Sequence, residues 1–436
     1  MNDRKRRLVV ETLMAVERGG YSNLVFDSLI SDTDLSSDEV SFAAAVFYGS
    51  LERQTTSDFI LDKFLKKGID KLDPEIRAVL RSGVFQLIFS DNIPAYAAID
   101  ESVKLAKSFK KSSAASLINA VLRKVSAYDV NAHKGISDNV KRLSITCSVS
   151  LELAKMMYEQ YGQRAFEILR NGFGGRKMQL RVNTLKTMPS EVVRMLTDRG
   201  FDAEESEPSG AVTVSSGRVV QTDLFSSGLI RPQSAAAQTV VKALDPKERM
   251  TVVDTCSAPG GKALTIVQEM RDTGRVFAFD SSESRLNLVK RAAEREGIRS
   301  IIPKVVDAVS PDKSLFNSAD RVLCDVPCSG FGEMASKPEI RLKQPASNDL
   351  FELQFSILSE SSKYLRTGGI LVYSTCTLDR RENEGVVRRF LSENQNFTPL
   401  HREFFGFESC DGDFLISLPG NDNKEGFFIA TLRRLW

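Results

Sequence analysis

The chain has 436 residues, 42% of them hydrophobic and 27% charged, with 59 Lys and Arg against 57 Asp and Glu for a net charge of +2. That length predicts two or three domains of roughly 150 residues each, and the composition excludes collagen-like, disulfide-scaffold and wholly disordered chains. A near-neutral total gives no global field for a polyanion, so any nucleic-acid surface has to be a local patch.

The N-terminal Arg4-Lys5-Arg6-Arg7 meets only Leu8, Val9 and Val10 before Glu11, which is too short and too charged for a secretory signal. No apolar run nears the ~20 residues that span a bilayer. Residues 1–135 read as an all-α bundle: Val9, Leu13 and Val16 recur at helical spacing, as do Ile99, Val103 and Ala106, and Leu117-Ile118 repeats at Val121-Leu122. Asp73-Pro74 and Pro94 punctuate the helices. Residues 101–125 set Lys104, Lys107, Lys110, Lys111, Arg123 and Lys124 against Glu101, either a solvated helix face or a phosphate-contacting patch.

Residues 140–235 read as a small α+β segment with a helix from Leu151 to Tyr161, a strand from Met178 to Val182 and a helix from Ser190. Its basic residues Arg164, Arg170, Arg176, Lys177, Arg181, Lys186, Arg194 and Arg199 outnumber Glu167, Glu191 and Asp198, which suggests phosphate contacts. Glu204 to Gly210 reads as a polar turn or loop.

Residues 236–436 change to strand–helix alternation. Strands are predicted at 251–255, 275–280, 301–307, 319–325, 369–375 and 426–432, with helical stretches such as 263–270, 284–296 and 349–365 separating the first five. Parallel strands need such crossovers, so a doubly wound α/β sheet is expected, with ligands gathering beyond the carboxyl ends of its strands. Asp254, Asp280, Asp307 and Asp325 stand at four of those ends. The turn Cys256-Ser257-Ala258-Pro259-Gly260-Gly261-Lys262 follows the first strand, and Asp280 is placed to accept from both hydroxyls of a ribose. Neither G-x-G-x-x-G nor the P-loop pattern occurs, and a ring of carboxylates would repel phosphates. A phosphate-free cation such as S-adenosylmethionine fits better.

Only two histidines occur, His133 and His401, so a histidine base is not expected. The six cysteines show no C-x-x-C spacing; they do not read as a zinc site and predict free thiols in a reduced, cytoplasmic protein. Cys328, in Asp325-Val-Pro-Cys-Ser-Gly330, and Cys376, in Tyr373-Ser-Thr-Cys-Thr377, follow strands expected to be neighbours, whereas Cys147, Cys324 and Cys410 read as structural. Two thiols and a carboxylate beside a methyl donor suit carbon 5 of cytosine, which becomes nucleophilic only after a thiolate adds at carbon 6. An ordinary thiol is about 3% ionised at pH 7, so the site is expected to help it ionise. Asp325, as a carboxylic acid, could hydrogen-bond the base.

These motifs resemble the bacterial RNA cytosine-5 methyltransferases of the Sun/Fmu type. The likeness runs over nearly the whole chain. It adds Arg381-Glu-Asn-Glu384, similar to the family's acidic-Asn continuation, Arg181-Val-Asn-Thr-Leu-Lys186, similar to its ancillary RNA-binding region, and Ile118-Asn-Ala-Val-Leu-Arg123, similar to the NusB fold. The resemblance implies a Rossmann-like methyltransferase domain after a NusB-like domain, with Cys376 as nucleophile and Cys328 assisting adduct breakdown. It implies cofactor contacts from Cys256, Ser257, Ala258, Pro259, Gly260, Gly261, Lys262, Asp280, Asp307 and Asp325, and S-adenosylmethionine as cofactor. The implied partner is small-subunit ribosomal RNA, unassembled or partly assembled; a monomer is the default expectation, no membrane is expected, and the chemistry needs no metal. Two departures stand out: Gln233-Ser234 replaces the usual Gln-Asp, and no His-Pro-aromatic motif occurs near Ser148–Leu151. The alternatives are a DNA cytosine methyltransferase attacking through Cys328, or an RNA-binding assembly factor with a vestigial cofactor fold.

Overall fold

The structure is a computed structural model that describes residues 3–174, 177–215, 217–420 and 424–436. The chain forms two compact units, Met1–Gly174 with Met334–Pro345, and Gly175–Glu333 with Ala346–Trp436.

Among the described residues, ten α-helices build the first unit: α1 (Arg4–Glu17), α2 (Ser22–Ser31), α3 (Ser37–Glu52), α4 (Gln54–Asp62), α5 (Pro74–Ile88), α6 (Ala95–Ser108), α7 (Ala115–Val125), α8 (Asn139–Cys147), α9 (Leu151–Tyr161) and α10 (Arg164–Arg170). Local chemistry sets their starts. Ser36 and Glu39 close a capping box on α3, and Pro74 opens α5 at the position where a missing N–H costs nothing. In α7, Ile118, Val121, Leu122 and Val125 are buried, each contributing about 1.5–3 kcal/mol. Leu117, expected in that stripe, lies about 100° off its centre and is 37% exposed. The basic stretch is partly neutralised: besides Glu101, Lys104 pairs with Asp100 and Lys111 with Asp73, two acids that lie outside the counted stretch. The segment Met334–Pro345 packs in this unit through Arg341, which is fully buried, donates to the carbonyls of Cys147 (2.9 Å) and Gly172, and lies over the Phe173 ring.

The second unit begins with a four-stranded antiparallel sheet, β1 (Met178–Val182), β2 (Ala203–Ser206), β3 (Ala211–Val214) and β4 (Ile230–Pro232), in the order β2-β3-β1-β4. Helix α11 (Pro189–Asp198) covers its core of Leu180, Val182, Val192, Leu196 and Val212, and the short α12 (Asp223–Ser226) precedes β4. Glu204 and Glu205, expected in a loop, belong to edge strand β2. Pairing is a backbone matter, and an edge strand keeps its charged side chains in water.

After α13 (Ala235–Leu244) come β5 (Thr251–Asp254), α14 (Gly261–Glu269), β6 (Arg275–Asp280), α15 (Glu283–Glu296), β7 (Ile301–Val305), β8 (Ala319–Asp325), α16 (Asn348–Ser362), β9 (Leu365–Thr375), α17 (Val386–Glu393), β10 (Phe397–Pro399), β11 (Glu408–Cys410), β12 (Phe414–Ser417) and β13 (Phe427–Arg434). The sheet order is β11-β12-β13-β9-β8-β5-β6-β7, with β10 pairing β13. Strands β5 to β9 are mutually parallel and β13 runs antiparallel to β9. Alternate residues such as Val252 and Val253, or Leu371 and Val372, enter the cores on the two faces, as expected for a sheet covered on both sides. One crossover differs from expectation. Between β7 and β8 there is a 3₁₀ turn, Lys313–Leu315, and no α-helix among the described residues; Pro311 interrupts any helical pattern there. The direction of winding reverses between β5 and β8, which opens a crevice at their carboxyl ends.

The small sheet is fixed to α14 and α15 by a buried polar network. Arg181 donates to Gln268 (2.8 Å) and Glu269 (2.9 Å), Gln268 to Glu296 (2.9 Å), and Arg231 to Glu296 (2.6 Å). Ser234 caps α13 by accepting from the Ala237 N–H, so serine at this departure does a capping acid's work.

Candidate active site

The turn after β5 is held against β6, where the Ser257 N–H donates to the Phe279 carbonyl (2.7 Å), and closes with the Gly260 N–H on the Ser257 carbonyl (2.7 Å). Gly260 has φ +105°, and a Cβ there would press within 3.2 Å of Val289, so glycine is required on two counts. The turn leaves polar groups without partners: Ser257 Oγ is buried and unbonded, and neither oxygen of Asp254 has a well-formed hydrogen bond, although Ser257 and the Cys256 N–H lie close enough to favour its charge weakly. Burial, reinforced by the Asp325 charge and opposed by Lys262, pushes the Asp254 carboxyl up to about 7. Asp280 ends β6 buried, accepts from the Ser282 N–H (3.0 Å) and faces Arg285 at 3.3 Å. Asp307 stands two residues beyond β7, exposed, accepting from the Val309 N–H.

On the other side of the crevice β8 and β9 run parallel in register, Asp325 opposite Ser374, and this brings the two turns together. The sulfurs of Cys328 and Cys376 are 3.3 Å apart, as free thiols. Asp325 accepts from Lys262 Nζ (2.7 Å) and Ser374 Oγ (2.7 Å). Its oxygens therefore serve as acceptors, where a donating carboxylic acid was expected. Lys262 is raised above the ordinary lysine range: burial works against its charge, and the Asp325 carboxylate outweighs burial. The expected lowering of the Cys376 thiol is not what its surroundings provide. Its hydrogen bond with Cys328, burial, and the nearby Glu333 and Asp325 all push the thiol well above its usual value. Cys324 is fully buried, its thiol pushed up to about 12 by burial, and Cys147 is also buried, so both are core residues.

Three residues to which the sequence reading gave no role, Glu382, Asn383 and Glu333, surround this arrangement. Glu382 is fully buried and accepts from the Ser329 N–H (2.9 Å), Ser329 Oγ (2.5 Å) and Gln354 Nε2 (2.9 Å), while Tyr373 Oη donates to its backbone carbonyl (2.6 Å). Asn383 spans the Cys376 turn, accepting from Thr375 Oγ1 (2.5 Å) and donating to the Thr377 carbonyl (3.0 Å). Both lie in a π-helical turn, Arg381–Gly385, a local irregularity frequent at functional sites. Glu333 Oε2 lies 3.4 Å from Cys376 Sγ. The Arg381-Glu-Asn-Glu384 stretch was visible as a motif, but only the fold aims its side chains at the two cysteine turns.

The basic middle segment serves structure more than its charge suggested. Arg181 is 1% exposed in the network above, Arg194 pairs with Glu191 and Asp198, and Arg199 with Asp223. Lys177 pairs with Glu204, and Lys186 donates to the Ser227 and Arg295 carbonyls. Arg176 lies outside the described residues. Among the described residues no helix is long and apolar enough to cross a membrane.

Residues 3–127 match the NusB family, residues 153–221 the RsmF/B-like ferredoxin-like domain of methyltransferases, and residues 241–433 the family described as 16S rRNA methyltransferase RsmB/F. These are the all-helical N-terminal domain, the ferredoxin-like domain and the Rossmann-like methyltransferase domain. The chain is 31% identical over 432 residues, 96% of each protein, to a Synechocystis protein named "Probable ribosomal RNA small subunit methyltransferase B". The solved structure of PH0851 is alike in fold, with a TM-score of 0.85 over 100% of this chain and 99% of that one at 24% identity. A Bacillus subtilis (strain 168) protein bearing the same name as the Synechocystis one is 34% identical over 442 residues. With that likeness covering 98% of both proteins, the chain belongs to the ribosomal RNA small subunit methyltransferase B family.

Proposed function

We propose that this protein methylates carbon 5 of one cytidine in small-subunit ribosomal RNA, as a monomer acting on unassembled or partly assembled RNA, through a covalent adduct between Cys376 and carbon 6. The observation that carries the reading is the 3.3 Å approach of two free thiols from adjacent strand ends, beside the Lys262–Asp325 pair.

The crevice suits S-adenosylmethionine. The unbonded Ser257 Oγ and Asp254 carboxylate are polar groups awaiting a partner, Gly260 leaves the turn without a side chain, and the strand-end acids favour a cation without phosphates. Ser257, Gly260, Gly261, Asp280 and Asp307 would hold it, with Cys256, Ala258, Pro259, Lys262 and Asp325 completing the wall. When bound, it supplies an electrophilic methyl group. Cys376 then bonds carbon 6, making carbon 5 an enamine-like nucleophile. Asp325, held by Lys262 and Ser374, accepts from the exocyclic amine and fixes the ring in the plane of attack. Cys328, in contact with the attacking sulfur, assists the release of the carbon 5 proton and of the enzyme.

Covalent trapping tests this reading. With cofactor and an unmodified small-subunit rRNA transcript, Cys328→Ala should accumulate a denaturant-resistant protein–RNA adduct and Cys376→Ala should form none. The opposite pattern would make Cys328 the nucleophile, and no methyl incorporation by the parent enzyme would favour a non-catalytic RNA binder.

A further inference from the structure

Glu333 follows the Cys328 turn and takes no part in the chemistry above. Its backbone is anchored at three points: the Glu333 N–H donates to the Gly330 carbonyl (2.9 Å), the Gly332 N–H to the Cys376 carbonyl (2.9 Å), and the Gly426 N–H to the Gly332 carbonyl (3.0 Å). A Cβ at Gly332 would lie 1.9 Å from the Gly426 oxygen, so these two segments meet only because neither carries a side chain. The carboxylate is thereby delivered to the nucleophile, Oε2 at 3.4 Å from Cys376 Sγ.

The charged and titratable groups facing that sulfur are Cys328, Glu333, Asp325 and Lys262, and Lys262 is already paired with Asp325. Losing the thiol proton to solvent would add a negative charge beside two existing ones. Passing it to Glu333 moves a charge without adding one.

We propose that Glu333 is the proton acceptor that activates Cys376, a role that rests on the covalent mechanism above. The S–H bond breaks, the proton passes to the Glu333 carboxylate, the sulfur electron pair forms the S–C6 bond, and the C5=C6 π pair moves toward carbon 5. Carbon 5 takes the methyl group, the pair of the broken donor bond staying on the donor's sulfur. Solvent, with Cys328, then removes the carbon 5 proton. That C–H pair restores the C5=C6 bond, the S–C6 pair returns to Cys376, and sulfur regains the proton held by Glu333.

The test is adduct formation in the Cys328→Ala background with the same rRNA transcript and cofactor. Adding Glu333→Gln should slow it by about 10²-fold or more at pH 7, with the rate recovering as pH rises toward 9. If Glu333 were only a repelling charge, the glutamine would leave the rate unchanged or raise it, and either result overturns the proposal. Alkylation of Cys376 by iodoacetamide without RNA, followed by mass spectrometry, should show its pH midpoint falling in the glutamine variant, because a nearby negative charge has gone. No shift would mean that Glu333 does not face the thiol, which also overturns the role. Absence of any adduct in the Cys328→Ala parent overturns the covalent mechanism and this role together, whereas an unchanged rate in the glutamine variant overturns this role alone.

Discussion

Asp254 shows how far a single residue can be read before its surroundings are known. An acid at a strand end is legible from the sequence; that it would be 1% exposed, with both oxygens lacking well-formed hydrogen bonds, is not. Burial raises its pKa from 3.8 to about 7, so between those pH values the folded chain binds a proton that the unfolded chain has released. Its effect on stability is therefore neutral below about pH 4 and grows unfavourable as pH rises to 7, by about 4 kcal/mol in all. Asp254→Asn should flatten the decline in stability between pH 4 and 7 relative to the parent. Urea denaturation of both proteins across that range measures it, and parallel pH profiles would mean that the carboxyl is not held neutral. Arg181 is the converse case. Its charge suggested a phosphate contact, yet its guanidinium is bonded inside the fold to Gln268 and Glu269, residues nearly ninety positions away that no local reading connects to it.

At the scale of an element, caps and periodicity were the readable signals. Helix α13 starts at Ser234, whose hydroxyl accepts from the Ala237 N–H at 3.2 Å. Ser234→Ala should cost about 1 kcal/mol, whereas Ser234→Asp should be neutral or slightly stabilising because a negative charge suits a helix N-terminus. Comparing denaturation midpoints of the two variants checks this; equal losses would show that an acid cannot serve as the cap here. Strand β2 and the short strands β11 and β12 escaped prediction because three or four residues carry too little periodicity to be told from a loop. Pairing with a neighbour makes them strands, and that neighbour is set by the tertiary fold.

For the molecule as a whole, the buried network joining the ferredoxin-like sheet to the methyltransferase domain is the feature with the largest expected energetic effect. Arg231 and Glu296 are 5% and 1% exposed and 2.6 Å apart. Removing one partner leaves the other charge buried, so Glu296→Gln should destabilise this unit by about 3–5 kcal/mol. Combining it with Arg231→Met should recover much of that loss, since an apolar side chain of similar length leaves no orphaned charge. A double-mutant cycle on thermal unfolding decides the matter, and additive losses would show the pair to be uncoupled. The same scale governs the helical unit, which includes Met334–Pro345 from beyond the Cys328 turn. Arg341 is buried there among carbonyls of a segment about 170 to 195 residues earlier, a long-range contact without any sequence period.

From residue order alone one could read the helical start, the βα alternation, the Gly-rich turn, the strand-end acids and the two exceptional cysteines, because each is written in neighbours a few positions apart, where backbone sterics and hydrophobic spacing act. Folding decided the rest. The 3.3 Å meeting of Cys328 and Cys376, the Glu382 and Asn383 bonds that hold their turns, the commitment of Asp325 to Lys262, and the Cys328 contact and burial that raise the Cys376 thiol all depend on distances and burial between segments far apart in the chain. Hydrogen bonds and charges act through space across a few ångströms, and only the sheet's strand order determines which groups come that close.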